Sequence, residues 1–192
     1  MPVLPPEPHV FPDDLLESPA LQTDTRWWVL HTRPRAEKAL VRRLLPHAVS
    51  FFLPQYEQRR QSKGRLLTSL LPLFPGYVFI HTDAEGRHRA LETNCVATCI
   101  PVIDQARLRA DLERVYRLVT SGSPVGPEER LQPGLRVEIT HGCLSGMQGT
   151  ILRRGDQLTF YVEVELIRRG VSVPVQSWMI RPVGPCAPMP AA

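Results

Sequence analysis

The sequence predicts an α+β protein in which an antiparallel sheet flanked by helices is followed by a small β-barrel. Three observations indicate this architecture. Apolar blocks with strand periodicity alternate with amphipathic helical patterns as far as residue 120. A stretch rich in Ser, Gly, Pro and Glu then occupies residues 121–132. Five short strand patterns separated by glycine turns fill residues 133–183, which is typical of a small barrel.

Residues 1–25 differ sharply in composition from the rest of the chain. They contain five acidic and no basic residues, a net charge of −5, together with six of the 20 prolines. Such a segment buries too little apolar surface to offset its ordering entropy, so we expect a disordered tail. It lacks the basic start and the apolar run of a signal peptide. No segment approaches the roughly 20 apolar residues that span a bilayer, and we expect a cytoplasmic protein without membrane contact.

The remainder of the chain is basic. Residues 25–130 hold 17 Lys or Arg against 10 Asp or Glu, a net charge of +7, and residues 131–192 hold 6 against 4, a net charge of +2. This surplus favours a polyanionic partner such as nucleic acid. A solvated basic surface without such a partner is the alternative.

The first predicted domain, residues 26–120, opens with a strand and a helix. The apolar block Trp27-Trp28-Val29-Leu30 predicts a buried strand over 26–32. Pro34 suits the first turn of a helix that runs to about Leu45, where Pro46 ends it.

A second strand over 49–56 leads into a hairpin. Four cationic residues within 58–65 surround a Ser-Lys-Gly turn, which indicates a hairpin tip, and residues 66–71 form the return strand. Pro75 and Gly76 then predict a tight turn before a strand over 77–82.

The domain is predicted to end with a helix over 86–93, a strand over 96–102 and a longer helix capped by Asp104. Leu108, Leu112 and Val115 belong to the apolar stripe of that last helix. Residues 121–132 are predicted to be a linker. The strands of the second domain are expected at 136–139, 149–152, 160–166, 171–175 and 178–181, and residues 184–192 form a tail.

The strand after the Pro75-Gly76 turn carries Tyr77, Phe79 and His81 on one face. Two aromatic side chains on one face after a rigid turn fit either core packing or an exposed docking patch.

The four cysteines, at positions 95, 99, 143 and 186, have neither the paired spacing nor the accompanying histidines of a zinc site. We expect reduced thiols, no metal site and no cofactor.

Several motifs resemble a known family. Those of the first domain closely resemble the N-terminal domain of NusG-like transcription elongation factors: Trp27-Trp28-Val29-Leu30-His31-Thr32 followed by Glu37, Leu73-Phe74-Pro75-Gly76-Tyr77-Val78-Phe79, and Asn94-Cys95-Val96. The segment Pro133-Gly134-Leu135-Arg136-Val137, with Gly142 and Gly146-Met147-Gln148-Gly149-Thr150, resembles the KOW motif that follows it. The resemblance covers residues 26–183 and implies that the second domain is an SH3-like KOW barrel.

The resemblance also implies a function. NusG-like proteins are not enzymes; their N-terminal domain binds the clamp helices of RNA polymerase and suppresses pausing, and their KOW domain contacts a second partner such as Rho or a ribosomal protein. The implied polymerase-binding residues are His31, Phe74, Pro75, Tyr77 and Phe79. We expect a monomer that also faces the DNA backbone of the elongation complex. The nucleic-acid-proximal residues implied are Arg33, Arg35, Arg42, Arg43, Arg59, Arg60, Lys63 and Arg65.

The second domain departs from the family pattern. It has Gly142-Cys143-Leu144 where general NusG factors carry Gly-Pro-Phe, which indicates a specialised paralogue of the RfaH-like kind. RfaH refolds its KOW segment as a helical hairpin. The five glycines between residues 142 and 170, together with Pro174, disfavour helix, so we predict a permanently β KOW domain.

Two other classes of protein compete with this interpretation. One is a ribosome-associated or RNA-binding KOW protein, which leaves the Phe-Pro-Gly-Tyr strand unexplained. The other is an enzyme using His31, His81, His88 or Cys95, but these residues have no recognisable catalytic spacing and no phosphate-cradling glycine loop accompanies them.

Overall fold

The computed structural model describes residues 7–17, 24–62, 65–129, 134–154 and 157–183, and it confirms the predicted α+β class with antiparallel sheets. The chain divides into two units, residues 1–116 and 117–192. The division falls inside the last predicted helix of the first domain. No helix among the described residues is long and apolar enough to span a membrane.

The first unit is built on a five-stranded antiparallel sheet of order β1-β3-β6-β2-β7. The strands of this sheet are β1 (Val10–Phe11), β2 (Arg26–Thr32), β3 (Ser50–Phe52), β6 (Tyr77–Thr82) and β7 (Val96–Pro101). The basic hairpin forms a separate two-stranded sheet of β4 (Gln55–Ser62) and β5 (Arg65–Pro72). The helices are α1 (Glu37–Leu44), α2 (Ala84–Glu92) and α3 (Gln105–Thr120).

The two faces of the sheet are covered by different helices. On one face, Leu40 and Leu44 of α1 pack with Leu30, Val78 and Ile80 in a single buried cluster. On the other face, the Gln105 side chain of α3 bonds both backbone groups of Trp27, accepting from its N–H at 2.6 Å and donating to its carbonyl at 3.1 Å. The ring of Tyr116, also on α3, meets the ring of Phe52 edge-on. Helices thus cover both faces, and the alternation of strand side chains decides which helix each residue meets.

Capping side chains set the beginnings of α2 and α3. Asp83 accepts a hydrogen bond from the backbone N–H of Gly86 at 2.8 Å. Asp104 accepts one from the backbone N–H of Arg107 at 2.9 Å, which confirms the predicted cap.

The expected disorder of residues 1–25 is wrong for residues 7–17. β1 pairs with β3, so that Val10 lies opposite Phe52, and the side chains of Val10 and Leu16 are buried. The backbone carbonyl of His9 accepts a hydrogen bond from the N–H of Leu53 at 2.7 Å. We call residues 7–17 the N-terminal strap. Composition failed here because a few apolar residues suffice when an existing sheet edge supplies the backbone partners. Residues 1–6 and 18–23 lie outside the described residues.

The second unit contains a six-stranded antiparallel sheet of order β13-β9-β10-β11-β12-β8, which is compatible with the predicted small barrel. The strands are β8 (Gly126–Glu129), β9 (Leu135–Ile139), β10 (Gln148–Arg154), β11 (Gln157–Val164), β12 (Arg169–Val175) and β13 (Ile180–Pro182). Residues 126–129, which were predicted to be linker, pair with β12 instead. Residues 130–132 of that linker, residue 133 of the predicted second domain and the tail 184–192 lie outside the described residues.

Gly149 in β10 shows why glycine is needed inside this sheet. A Cβ at this position would lie 2.6 Å from both the Phe160 ring and the Tyr161 carbonyl oxygen. The strands therefore approach each other at a distance that no larger residue permits.

Acid is expected to loosen the N-terminal strap. The Nδ1 atom of His9 accepts the backbone N–H of Gln55 at 3.1 Å, so the docked ring is neutral there. Burial, reinforced by the charge of Lys38, lowers the pKa of His9 from its ordinary value of 6.5. The undocked strap therefore binds a proton more readily than the docked strap, and docking weakens as the pH falls below 6.5.

Hydrogen exchange at the Leu53 amide measures this docking, because that N–H bonds the His9 carbonyl. Its protection factor, corrected for the intrinsic exchange rate, should fall as the pH is lowered below 6.5. A His9→Asn variant keeps a side-chain acceptor that does not titrate, and it should remove most of this pH dependence. Equal pH dependence in both proteins would contradict the assignment to His9.

Candidate functional site

The turn at Pro75-Gly76 is held rigidly against α1 and β2. Gly76 adopts a φ of +85°, which favours glycine. Its N–H donates to the Glu37 carboxylate at 2.7 Å, and its carbonyl accepts from the Thr32 N–H at 2.8 Å. Since the Glu37 side chain is itself buried, the first turn of α1 fixes the position of this corner.

Three side chains surround the turn and reach the surface. His31 and Tyr77 lie directly opposite each other on β2 and β6, with ring centroids 5.1 Å apart. Pro75 and His31 are exposed, and Tyr77 is half-buried. We call these three residues the corner patch. A proline and two rings held on a rigid sheet form an amphipathic surface that needs little ordering to bind a partner.

Two of the five residues that the resemblance implied for polymerase binding, Phe74 and Phe79, are buried, so core packing is the correct alternative for them. Phe74 is 1% exposed and Phe79 is not exposed, and their rings meet edge-on with centroids 5.8 Å apart. Phe79 lies in the middle of β6, on the face that α3 covers, and it also contacts Phe52. Tyr77 shares that face, but it lies at the first position of β6, and its side chain remains partly open to solvent. Both phenylalanines therefore belong to the core of the first unit and not to the corner patch.

Arg33 and Arg35 follow β2 and are both exposed. The backbone N–H of Arg33 donates to the Cys95 carbonyl at 2.8 Å, and Arg35 adopts a φ of +60°. These constraints hold the loop between β2 and α1 while leaving two guanidinium groups at the surface beside the corner patch in sequence.

Arg42 and Arg43, in the last turn of α1, already have partners within the protein. Arg42 bonds the Glu7 carboxylate through both its Nε atom and a terminal nitrogen. Arg43 donates to the backbone carbonyl of Thr93. Both side chains line a cleft of about 600 Å³ whose other lining residues are Pro46, His47, Arg89, Glu92 and Thr93.

Of the four predicted basic residues on the hairpin, Arg59 is the one whose side chain is described. Arg59 on β4 is exposed and lies 3.6 Å from the Glu57 carboxylate. Arg60 and Arg65 lie on β4 and β5, where the backbone is described but these side chains are not, and Lys63 lies outside the described residues. The predicted basic residues therefore form at least two groups, one around α1 and one on the hairpin.

Sequence reasoning missed the residues that organise the α1 side. Glu7 lies in the segment that was predicted to be disordered, and it contacts Lys38 as well as Arg42. Arg89, whose NH1 group lies 3.1 Å from His47 Nδ1, comes from α2. No local sequence pattern points to these long-range pairs, and nothing in the sequence distinguishes Glu7 from the four other acidic residues before residue 25.

The residues suggested for an enzyme occupy separate structural roles. The His81 ring contacts the Trp27 ring at a tilted angle, and burial together with the Arg109 charge lowers the pKa of His81. His88 pairs with Glu92 at 3.2 Å. Cys95, Cys99 and Cys143 are free thiols, and Cys95 is buried. Cys186 lies outside the described residues. Across the described part of the chain, no group of three or more His, Cys, Asp or Glu side chains is arranged to hold a metal ion.

Comparison with known proteins connects this structure to a family. Residues 25–130 match the model of the family described as transcription termination factor nusG. No curated protein sequence matches the chain. A solved structure described as "Domain interaction in Thermotoga maritima NusG" is similar over 83% of this chain and 98% of that chain, with 17% identity and a TM-score of 0.50. At this identity the similarity is one of fold.

Two further structures, described as the MjSpt4:Spt5 complex in conformations A and B, align over 82% and 84% of this chain and 97% and 99% of theirs. Both are 16% identical to this chain, with TM-scores of 0.27 and 0.28, which are too low to indicate a shared arrangement of the whole chain.

The contrast between Phe79 and Tyr77 predicts different effects on stability. Phe79→Ala leaves a cavity in a closed core and should lower the free energy of unfolding by about 3–5 kcal/mol. Tyr77→Ala removes a half-exposed ring and should cost about 1 kcal/mol.

Urea denaturation followed by tryptophan fluorescence measures both effects. A Trp178→Phe background leaves only Trp27 and Trp28, so the signal reports the first unit. Equal losses for the two variants would contradict the assignment of Phe79 to the core and Tyr77 to the surface.

Proposed function

The chain belongs to the NusG family of transcription factors, and we propose that it binds the clamp helices of RNA polymerase through its first unit and suppresses pausing. The observation that carries the proposal is the corner patch of His31, Pro75 and Tyr77. Its backbone is tied to α1 through Glu37 and to β2 through Thr32. Of the five polymerase-binding residues implied by sequence, these three are the ones that solvent reaches.

The chemistry of the corner patch suits a helical protein partner. Tyr77 and His31 offer ring faces with polar groups at their edges, and Pro75 adds apolar surface without rotamer entropy. Phe74 and Phe79 lie in the closed core, so they add no apolar area to the patch. A small rigid patch of this kind supplies the centre of an interface, whose polar rim comes from neighbouring residues such as Arg33.

Nucleic acid is the second ligand proposed for the first unit. The exposed guanidinium groups of Arg33, Arg35 and Arg59 suit the phosphate backbone of the DNA in the elongation complex. Such contacts are independent of sequence and sensitive to salt. Arg43 of α1 and Arg89 of α2 are further basic residues of the first unit, and both line the cleft that Arg42 borders.

The second unit is proposed to be a KOW domain that contacts a further partner, such as Rho or a ribosomal protein. Trp178 is 65% exposed, and its ring meets that of His141 with centroids 5.5 Å apart. An exposed tryptophan beside the Gly142 turn gives this unit a docking point of its own. The exposed ring equally favours the second candidate function, an RNA-binding KOW protein, because nucleobases stack on such rings.

Capture of RNA polymerase by the full chain tests the first proposal. Tyr77→Ala should weaken the affinity at least about tenfold, since truncating a central aromatic anchor typically has this effect. Ile103→Ala is a matched control, because Ile103 is 97% exposed and follows the end of β7 that pairs with the start of β2, away from His31. The control should bind like the wild type.

Two outcomes would count against polymerase binding at the corner patch. One is undiminished capture by a folded Tyr77→Ala variant. The other is absence of capture by the wild type combined with tight binding of single-stranded RNA, which would favour the RNA-binding alternative.

The salt dependence of DNA binding tests the nucleic-acid proposal. A variant with Arg33→Ala and Arg35→Ala should bind a labelled duplex more weakly, and the slope of log K against log salt should become shallower by about two, because each phosphate contact contributes about 0.9. Arg107→Ala, which removes an exposed charge from α3, should change the slope little. An unchanged slope in the double variant would exclude these two arginines from phosphate contact.

A further inference from the structure

The N-terminal strap brings a carboxylate to the basic side of α1. β1 adds to the free edge of β3, and buried side chains at Val10 and Leu16 hold the segment in place. The Gln55 side chain donates to the Glu7 carbonyl at 3.2 Å, which anchors the backbone at the start of the strap. The position of Glu7 is therefore fixed by strand pairing, by buried apolar side chains and by the Gln55 hydrogen bond, in addition to its own ion pairs.

The Glu7 carboxylate occupies a site formed by two cations. Its side chain is 4% exposed; one oxygen lies 3.5 Å from Lys38 Nζ, and the other accepts from Arg42 Nε at 2.5 Å and from a terminal nitrogen of the same guanidinium. Burial raises the pKa of Glu7, but the backbone hydrogen bond and the bonds and charges of Arg42 and Lys38 outweigh burial, so the net pKa is lowered from 4.5. The group is thus a carboxylate at neutral pH.

The arrangement of Lys38 and Arg42 around this carboxylate also suits a phosphate group. A guanidinium that presents two N–H groups, with an ammonium on the opposite side, binds the oxygens of a phosphate as readily as those of a carboxylate. Lys38 and Arg42 are 29% and 43% exposed, so solvent reaches both cations even though the carboxylate is buried between them.

Arg42 also borders a cleft in which basic side chains outnumber acidic ones. The cleft contains Arg43, Arg89 and the acidic Glu92, and Arg89 pairs with Glu85 as well. Glu7 cancels one positive charge at the edge of this cleft. An approaching polyanion meets repulsion from the carboxylate and finds Lys38 and Arg42 already neutralised in part.

From this arrangement we propose that Lys38 and Arg42 form a phosphate site for nucleic acid, and that in the free protein Glu7 of the N-terminal strap occupies it as an internal competitor. The inference rests on the proposed nucleic-acid function of the first unit. Nucleic acid binds fully only in molecules whose Glu7 has moved aside, so the apparent affinity is lowered by the fraction in which Glu7 occupies the site. The strap therefore lowers the apparent affinity of the first unit for DNA.

A charge-neutral substitution at Glu7 tests the inference in the full chain. Glu7→Gln should bind a labelled duplex DNA about threefold to tenfold more tightly than the wild type, because the competing charge is gone. The slope of log K against log salt should steepen by about one to two, as Lys38 and Arg42 become available to phosphates.

Asp13→Asn is the matched control. Asp13 lies in the same strap, is exposed, and loses the same charge on substitution, so net charge changes equally in the two variants. The control should change the affinity less than about twofold. In an Arg42→Ala background, the gain from Glu7→Gln should disappear, since the site that it opens is no longer complete.

Each other result overturns the inference. Equal gains from Glu7→Gln and Asp13→Asn would mean that only net charge matters, and weaker binding by Glu7→Gln would mean that the ion pair serves structure alone. If Glu7→Gln binds like the wild type while the Arg33 and Arg35 double variant still binds weakly, the inference fails and the nucleic-acid function stands. If Glu7→Gln, Asp13→Asn and the Arg33 and Arg35 double variant all bind DNA like the wild type, the proposed nucleic-acid function fails too.

Discussion

The pairing of β2 with β6 is the interaction on which the rest of the first unit depends. In this register Val29 lies opposite Phe79 and His31 opposite Tyr77. Because side chains alternate between faces, a slip by one residue would turn every aromatic ring to the wrong side of the sheet. The same register places the Pro75-Gly76 turn beside Thr32 and Glu37. Core and surface patch are therefore two consequences of one set of backbone hydrogen bonds.

Helix α3 decides which part of that aromatic face remains available. It covers the middle of the sheet, where Phe52 and Phe79 lie, and its Tyr116 ring contacts Phe52. Tyr77, at the start of β6, remains partly uncovered, and His31 lies beside it. The aromatic residues of one sequence motif therefore have different environments: Phe74 and Phe79 are buried in the core, whereas Tyr77 is partly exposed.

The charge distribution around α1 is likewise decided by a segment distant in sequence. Arg42 and Lys38 are separated by one turn of helix, and the sequence alone presents them as a basic surface. The N-terminal strap changes that surface by bringing the buried Glu7 carboxylate between these two partly exposed cations. A segment whose composition indicates disorder is ordered here because β3 offers a free edge, so the strap obtains its backbone partners without building a core of its own.

The sequence by itself determined the order and type of nearly all elements. Strand 26–32, strand 77–82, the basic hairpin and the Asp104 cap follow from local periodicity and local hydrogen bonding, which neighbouring residues decide. Tertiary structure alone decided the burial of Phe74 and Phe79, the ordering of residues 7–17, the pairing of residues 126–129 with β12, and the capture of Lys38 and Arg42 by Glu7. These outcomes depend on which segments meet across long separations in the chain. No local pattern carries that information, because the burial or ion pairing of a residue depends on the distant segment that contacts it.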